Sequence, residues 1–168
     1  RRVAAEAYLQ AHTPGLRPAL GSDLATRFRA KAEYLASTVA DVAALNDVPA
    51  AVADYLAASQ LGSSAVVTPD LGGLDWASAG LDVATRGAVD ADAVGISGCF
   101  CAIAETGTLM LLSGQQTPAT VSLLPETHIA LVPASRIVAS MEDAFALLRA
   151  ECGELPRAVN FISGPSRT

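Results

Sequence analysis

Apolar side chains recur every three to four residues in parts of the chain, and this period predicts helices that bury one face. One helix begins at Ser22 or Asp23, both of which suit an N-cap. Another begins at Asn46 or Asp47, with a proline in its first turn and a glycine just past its end. A third runs over 141–152 and follows Ser140, where an aspartate three residues later completes a capping box. The apolar stripes of the first and third helices are Leu24, Phe28, Ala32 and Leu35, and Met141, Ala144, Phe145 and Leu148.

Short apolar or β-branched runs bounded by turn residues predict the strands. The run over 93–104 is unusually long, and Gly95 and Gly98 within it predict a bend or a bulge. Strands and helices alternate in the first half of the chain, and strands dominate the second. We therefore predict an α/β fold with a mixed open sheet flanked by helices. The predicted strands are 38–42, 65–68, 81–86, 93–104, 108–112, 129–132 and 158–162.

Length and composition predict one globular domain. A chain of 168 residues has the size of a single domain, and 51% hydrophobic against 17% charged residues excludes a disordered chain. We expect residues 1–21 to form a short helix, over 1–10, and a Pro/Gly linker, followed by one α/β domain over 22–168. No run approaches the roughly 18 apolar residues of a spanning helix, and the N-terminus shows no signal peptide. We expect a cytoplasmic protein.

Net charge and cysteine content limit the classes of partner and cofactor that this chain can bind. A net charge of −6 and a pI near 4.7 argue against nucleic-acid binding. Cys99, Cys101 and Cys152 form no disulfide framework and lack the spacing of iron–sulfur ligands, so we expect buried thiols in a reducing compartment. Phosphate-loop, dinucleotide and multi-histidine metal motifs are absent from the sequence. We therefore expect neither a cofactor nor a metal in this chain.

The segment Glu105-Thr106-Gly107-Thr108 interrupts an apolar run with one carboxylate and two hydroxyls. It is typical of a hairpin turn in which Gly107 takes positive φ and Glu105 faces water. The alternative is a site at the edge of a pocket, where Glu105 acts as general base or nucleophile. Thr106 and Thr108 would then donate hydrogen bonds to an anionic substrate.

Two further segments carry candidate polar groups. Ser163-Gly164-Pro165-Ser166-Arg167 follows the last predicted strand, where backbone N–H groups, hydroxyls and Arg167 can hold a phosphate or carboxylate. The alternative is a flexible turn that leaves the domain. His128 precedes a buried strand and is either a structural histidine or an acid–base group near Glu105.

Three motifs follow one another along the chain at characteristic spacing. They are Ala104-Glu105-Thr106-Gly107-Thr108, Ser122-Leu123-Leu124-Pro125 followed by His128-Ile129, and Ile162-Ser163-Gly164-Pro165-Ser166-Arg167-Thr168. In this order and spacing they resemble the LUD-domain family and, within it, the small LutC-like group of lactate utilisation. The resemblance implies a fold like that of ribose-5-phosphate isomerase, glucosamine-6-phosphate deaminase and the CoA transferases. It also implies oxidation of L-lactate to pyruvate together with an iron–sulfur partner and a second LUD protein that carries ferredoxin-type cysteines.

Our leading hypothesis is a non-redox subunit of a lactate-oxidising system. One alternative is an enzyme or binding protein for a CoA ester, sugar phosphate or similar small anion, and another is an interaction module with a vestigial pocket. Members of the family continue past the last motif, so we expect part of the site to follow Thr168. The candidate catalytic residues are Glu105 and His128. The candidate ligand-binding residues are Thr106, Gly107, Thr108, Ser163, Gly164, Ser166 and Arg167.

Overall fold

The computed structural model describes residues 2–11 and 21–166. The predicted linker lies outside these residues except for Gly21, and so does Arg167. The helices are α1 (Arg2–Ala11), α2 (Leu24–Tyr34), α3 (Val48–Ala58), α4 (Thr120–Leu123) and α5 (Met141–Glu151). The strands are β1 (Ser64–Val67), β2 (Asp82–Thr85), β3 (Val94–Gly98), β4 (Cys101–Ile103), β5 (Thr108–Leu112), β6 (Thr127–Leu131), β7 (Ile137–Val138) and β8 (Val159–Ile162).

The strands form two four-stranded sheets. Sheet 1 has the order β2-β1-β3-β6 and is parallel throughout. Sheet 2 has the order β7-β4-β5-β8, in which β5 runs antiparallel to both its neighbours and β7 runs parallel to β4. The predicted α/β class, with parallel and antiparallel strands flanked by helices, is confirmed. Sheet 1 contains only parallel pairs, and sheet 2 combines parallel with antiparallel pairs.

The segment predicted as one strand over 93–104 is two strands in two sheets. β3 ends at Gly98 and β4 begins at Cys101. Between them, the Cys99 N–H donates to Leu131 of sheet 1, and the Phe100 N–H donates to Met110 of sheet 2. Because adjacent residues bond to different sheets, the predicted bend is the point where the chain crosses from one sheet to the other.

The strand predicted over 38–42 is wrong. This segment is irregular, pairs with no strand among the described residues, and contacts α2. The Arg29 guanidinium donates to the Val39 carbonyl at 3.1 Å and forms an ion pair with Asp41. A β-branched composition does not make a strand when no neighbouring strand completes the ladder.

Both sheets are covered by helices, as the continuous burial of β1, β3 and β4 requires. In sheet 1, Val67 and Ile96 pack against α3, and Val66 packs against Val121 of α4 on the opposite face. In sheet 2, Ile103 packs against α5, whereas Ala102 and its same-face neighbours pack against α2. Small alanine side chains on that face allow α2 to approach the sheet closely.

Two helix N-termini, those of α2 and α5, are capped as the sequence predicts. At α3 the predicted cap Asp47 precedes the helix but makes no capping hydrogen bond to it, because its carboxylate accepts from the Ala44 N–H instead. The Asp23 carboxylate accepts a hydrogen bond from the Thr26 N–H at 3.0 Å and caps α2. At α5, Ser140 and Asp143 each accept a hydrogen bond from the other's backbone N–H, which completes the capping box. Both caps orient helices that cover sheet 2, and α2 reaches the first candidate site.

Candidate functional site

The Glu105–Gly107 turn joins β4 to β5 and lies against α2. Gly107 has φ +71°, as the turn interpretation predicts. A Cβ at this position would lie 2.8 Å from backbone atoms of both Lys31 and Ala32. The turn therefore requires glycine both for its conformation and for the close approach of the helix.

The Ser163–Gly164 segment meets this turn at the same end of α2. Because β8 pairs with β5 in antiparallel register, Ser163 follows Ile162 to a position beside Thr108. The two hydroxyl oxygens are 3.1 Å apart. Gly164 has φ +74°, and a Cβ there would lie 2.6 Å from the Leu35 carbonyl oxygen. The first and third sequence motifs are therefore neighbours in space.

The hydroxyls of Thr106, Thr108 and Ser163 form a directed chain. Thr108 donates its single proton to Ser163, so Thr106 donates to Thr108 across their 2.8 Å separation. The Ser163 proton is then available for an acceptor outside the chain. Thr108 is buried, whereas Thr106 and Ser163 are exposed. This chain, the hydroxyl relay, can donate a hydrogen bond to an oxygen of a ligand.

Glu105 is half-buried next to the hydroxyl relay. Its backbone N–H donates to the Ala139 carbonyl at 3.0 Å, which fixes the residue at the end of β4. Of the remaining predicted ligand-binding residues, Ser166 is exposed after Gly164, and Arg167 lies outside the described residues. The structure thus brings Glu105, Thr106, Gly107, Thr108, Ser163 and Gly164 together.

His128 lies in a different part of the fold. It pairs with Gly95 in sheet 1, and its Nε2 is 2.9 Å from the Ser97 hydroxyl oxygen. Burial lowers the pKa of His128 to about 4, so the ring is neutral near pH 7. Among the described residues no hydrogen bond links His128 to Glu105, which lies at the end of β4 in sheet 2.

A second group of polar residues lines a cavity of about 210 Å³ between the two sheets. The cavity opens at the carboxyl ends of β1 and β3, and its lining includes Thr68, Asp70, Ser97 and Asn160. β2 and β3 lie on opposite sides of β1, and ligands of open α/β sheets bind at such a point. Leu112, the last residue of β5, also lines the cavity, whereas Thr108 of the hydroxyl relay is the first residue of that strand. The cavity and the hydroxyl relay therefore lie at opposite ends of β5.

Sequence reasoning did not identify the cavity as a site, although one signal was present. Thr68 and Asp70 directly follow the predicted strand 65–68, with a proline between them. Polar residues after a parallel strand indicate the ligand-binding edge of a sheet. Asn160 lies in β8 of sheet 2 and lines the cavity only because the two sheets pack together, so no local pattern in the sequence indicates it.

The three cysteines are free thiols. Burial raises the pKa of Cys99 to about 12 and also raises the pKa of Cys101. Across residues 2–11 and 21–166, no group of three His, Cys, Asp or Glu side chains is placed to hold a metal ion. No helix in the same part of the chain is long and apolar enough to cross a membrane.

The fold has a counterpart among solved structures. The crystal structure of a DUF162 family protein from Deinococcus radiodurans superposes with a TM-score of 0.69 and 24% sequence identity. The superposition covers 88% of this chain and 91% of that one. The two proteins therefore share the same α/β architecture.

Residues 27–168 match the family model of the LUD domain, and the chain belongs to the LUD-domain family. The resemblance inferred from the three motifs is thereby confirmed. The chain is 34% identical over 97 residues to lactate utilization protein C of Bacillus licheniformis. This aligned segment covers 56% of this chain and 40% of that protein. It is 40% identical over 78 residues to the same protein of Bacillus subtilis, covering 45% of this chain and 32% of that protein. The matched segments thus span less than half the length of these relatives.

Proposed function

We propose that this chain is a non-redox component of an L-lactate utilisation system. The observation that carries this proposal is its similarity to lactate utilization protein C of several bacteria, together with a LUD-domain match over most of the chain. In this role the chain assists the oxidation of L-lactate to pyruvate. Partner proteins that contain iron–sulfur clusters accept the electrons.

The chemistry of the cysteines supports assigning the redox centre to a partner. Iron–sulfur ligation requires thiolates, commonly several in one cluster. Burial favours the protonated thiol of Cys99 and Cys101, since it raises the pKa of both. Cys101 packs in the core of sheet 2 as a small apolar group, and Cys99 is half-buried at the cavity.

Glu105 and the hydroxyl relay form the site that we assign to this function. Glu105 is half-buried and directly precedes Thr106, the first residue of a chain of hydroxyls whose last donor, Ser163, is exposed. The carboxylate can accept a proton while Ser163 donates to a substrate oxygen. His128 takes no part in this proposal, because its bond to Ser97 holds it in sheet 1.

The proposal predicts that loss of the Glu105 charge impairs growth on L-lactate. We expect a strain that lacks the gene for this chain to grow normally on glucose but not on L-lactate, and the wild-type gene to restore growth. Glu105→Gln should fail to restore it, because loss of a general acid–base group slows a reaction by about 10²–10⁴-fold. Growth rates on the two carbon sources, with the protein level measured in each strain, test this.

Glu154→Gln is the matched control, since Glu154 is exposed in the loop after α5. This variant should restore growth fully. Normal growth of the deletion strain on L-lactate would contradict the lactate role itself. Full rescue by Glu105→Gln would contradict only the role of Glu105.

A further inference from the structure

Thr68 is one of the residues that line the cavity between the sheets, and its buried hydroxyl has no partner. Thr68 is 1% exposed, and its hydroxyl oxygen makes no hydrogen bond. A buried polar group without a partner destabilises the fold. A hydroxyl group of a bound molecule would satisfy this oxygen, because a hydroxyl can both donate and accept.

The other hydroxyls that line the cavity have already used their protons. Ser97 donates to the Gly98 carbonyl, Thr117 to the Leu112 carbonyl and Ser122 to the Ala119 carbonyl. These oxygens can therefore meet a ligand only as acceptors, and that of Ser97 already accepts one hydrogen bond from His128 Nε2. The complementary ligand must be rich in hydrogen-bond donors.

Charge in the cavity disfavours anions. The Asp70 carboxylate lies against Gly98 at the end of β3, so close that a Cβ on Gly98 would be 3.1 Å from its Oδ2. None of the residues that line the cavity is a lysine, arginine or histidine. Arg136 stacks on the ring of Phe100 in the lining, but its charge is already paired with Glu151. A phosphate or carboxylate in the cavity would therefore meet a like charge and no unpaired cation from the lining.

We propose that this cavity binds a small polyhydroxylated molecule without negative charge. Its volume of about 210 Å³ corresponds to about seven water molecules at ~30 Å³ each, which suits a linear polyol of about four or five carbons. The carbon chain of the polyol contacts the apolar part of the lining, formed by Phe100, Leu111 and Leu112. The hydroxyls of the polyol bond to Thr68, Asp70 and Asn160. This site is separate from Glu105 and does not depend on the lactate proposal.

Titration of the ¹⁵N-labelled protein with xylitol tests the proposal, with xylonate as the anionic counterpart of the same length. We expect saturable shifts of the Thr68, Gly98 and Asn160 amide signals with xylitol and none with xylonate. Non-specific stabilisation by polyols, which arises from exclusion at the surface, gives no saturable local shift. Absence of saturable shifts with xylitol and erythritol, or tighter binding of xylonate, would overturn the proposal.

Two variants make the test specific. Thr68→Val keeps the shape of the side chain and removes the unpartnered hydroxyl, so the variant should fold at least as stably and lose saturable xylitol binding. Thr85→Val, at an exposed position of β2, is the control and should bind as the wild type does. Asp70→Asn removes a surface charge without a packing change and should allow xylonate to bind. Unaltered binding of both ligands in Thr68→Val and Asp70→Asn would contradict the assigned contacts.

Discussion

Replacing Gly95 with alanine is expected to lower the free energy of unfolding by more than about 3 kcal/mol. A Cβ at this position would lie 2.0 Å from the Val121 carbonyl oxygen and 2.9 Å from Pro125. β3 cannot move away, because it pairs with β1 on one side and β6 on the other. The clash therefore has to displace α4 from the sheet. Urea unfolding of the variant and the wild type measures the difference.

Gly73→Ala is the matched control for this substitution. A Cβ on Gly73 meets no atom within 4 Å, and its backbone is not left-handed. Its unfolding free energy should change by no more than about 0.5 kcal/mol. Equal stability of Gly95→Ala and Gly73→Ala would show that α4 is free to shift. Contact between Gly95 and the 121–125 segment gives the second family motif a packing role.

Stability is expected to fall by about 2 kcal/mol between about pH 7.5 and pH 5 because of His128. Burial lowers the pKa of this residue in the folded protein to about 4, below the 6.5 of an ordinary histidine. The unfolded chain therefore binds more protons in this interval, and acidification favours unfolding. The contribution of His128 is fully present above pH 6.5 and is lost as the pH falls towards 4.

His128→Gln isolates this effect, because a glutamine amide can replace Nε2 in the hydrogen bond to Ser97 but does not titrate. Urea unfolding at the two pH values should show a smaller loss of stability for the variant than for the wild type. An identical loss in both proteins would show that other groups cause the pH dependence. The same result would indicate that His128 is not desolvated as its position implies.

The sequence predicted the class of fold well where local signals agree with packing. The caps at Asp23 and Ser140 and the positive φ of Gly107 follow from local chemistry and are confirmed. The strand predicted over 38–42 failed because strand formation depends on a neighbour that local composition does not reveal. The prediction of one long strand over 93–104 was wrong because the adjacent residues Cys99 and Phe100 bond to different sheets. Which sheet a residue joins is a property of the tertiary fold.

In the candidate site, too, local sequence predicted the motifs but not the contacts that depend on tertiary packing. Proximity of the Glu105 and Ser163 motifs depends on the antiparallel pairing of β5 with β8, which no local pattern encodes. The sequence marked both motifs but left open whether they meet. His128 was a candidate partner of Glu105, yet its hydrogen bond is to Ser97. Thr68 and Asp70 were not singled out, because a cavity between sheets becomes visible only when the sheets are packed.

We propose that this chain supports L-lactate oxidation without carrying the electrons itself. The most direct measurement is L-lactate-dependent pyruvate formation in extracts of the deletion strain, with and without the purified protein. We expect extracts without the protein to form little pyruvate and addition of the protein to restore the wild-type rate. The purified protein by itself should form none with an artificial electron acceptor. Pyruvate formation by the isolated protein, or a full rate in extracts that lack it, would contradict this proposal.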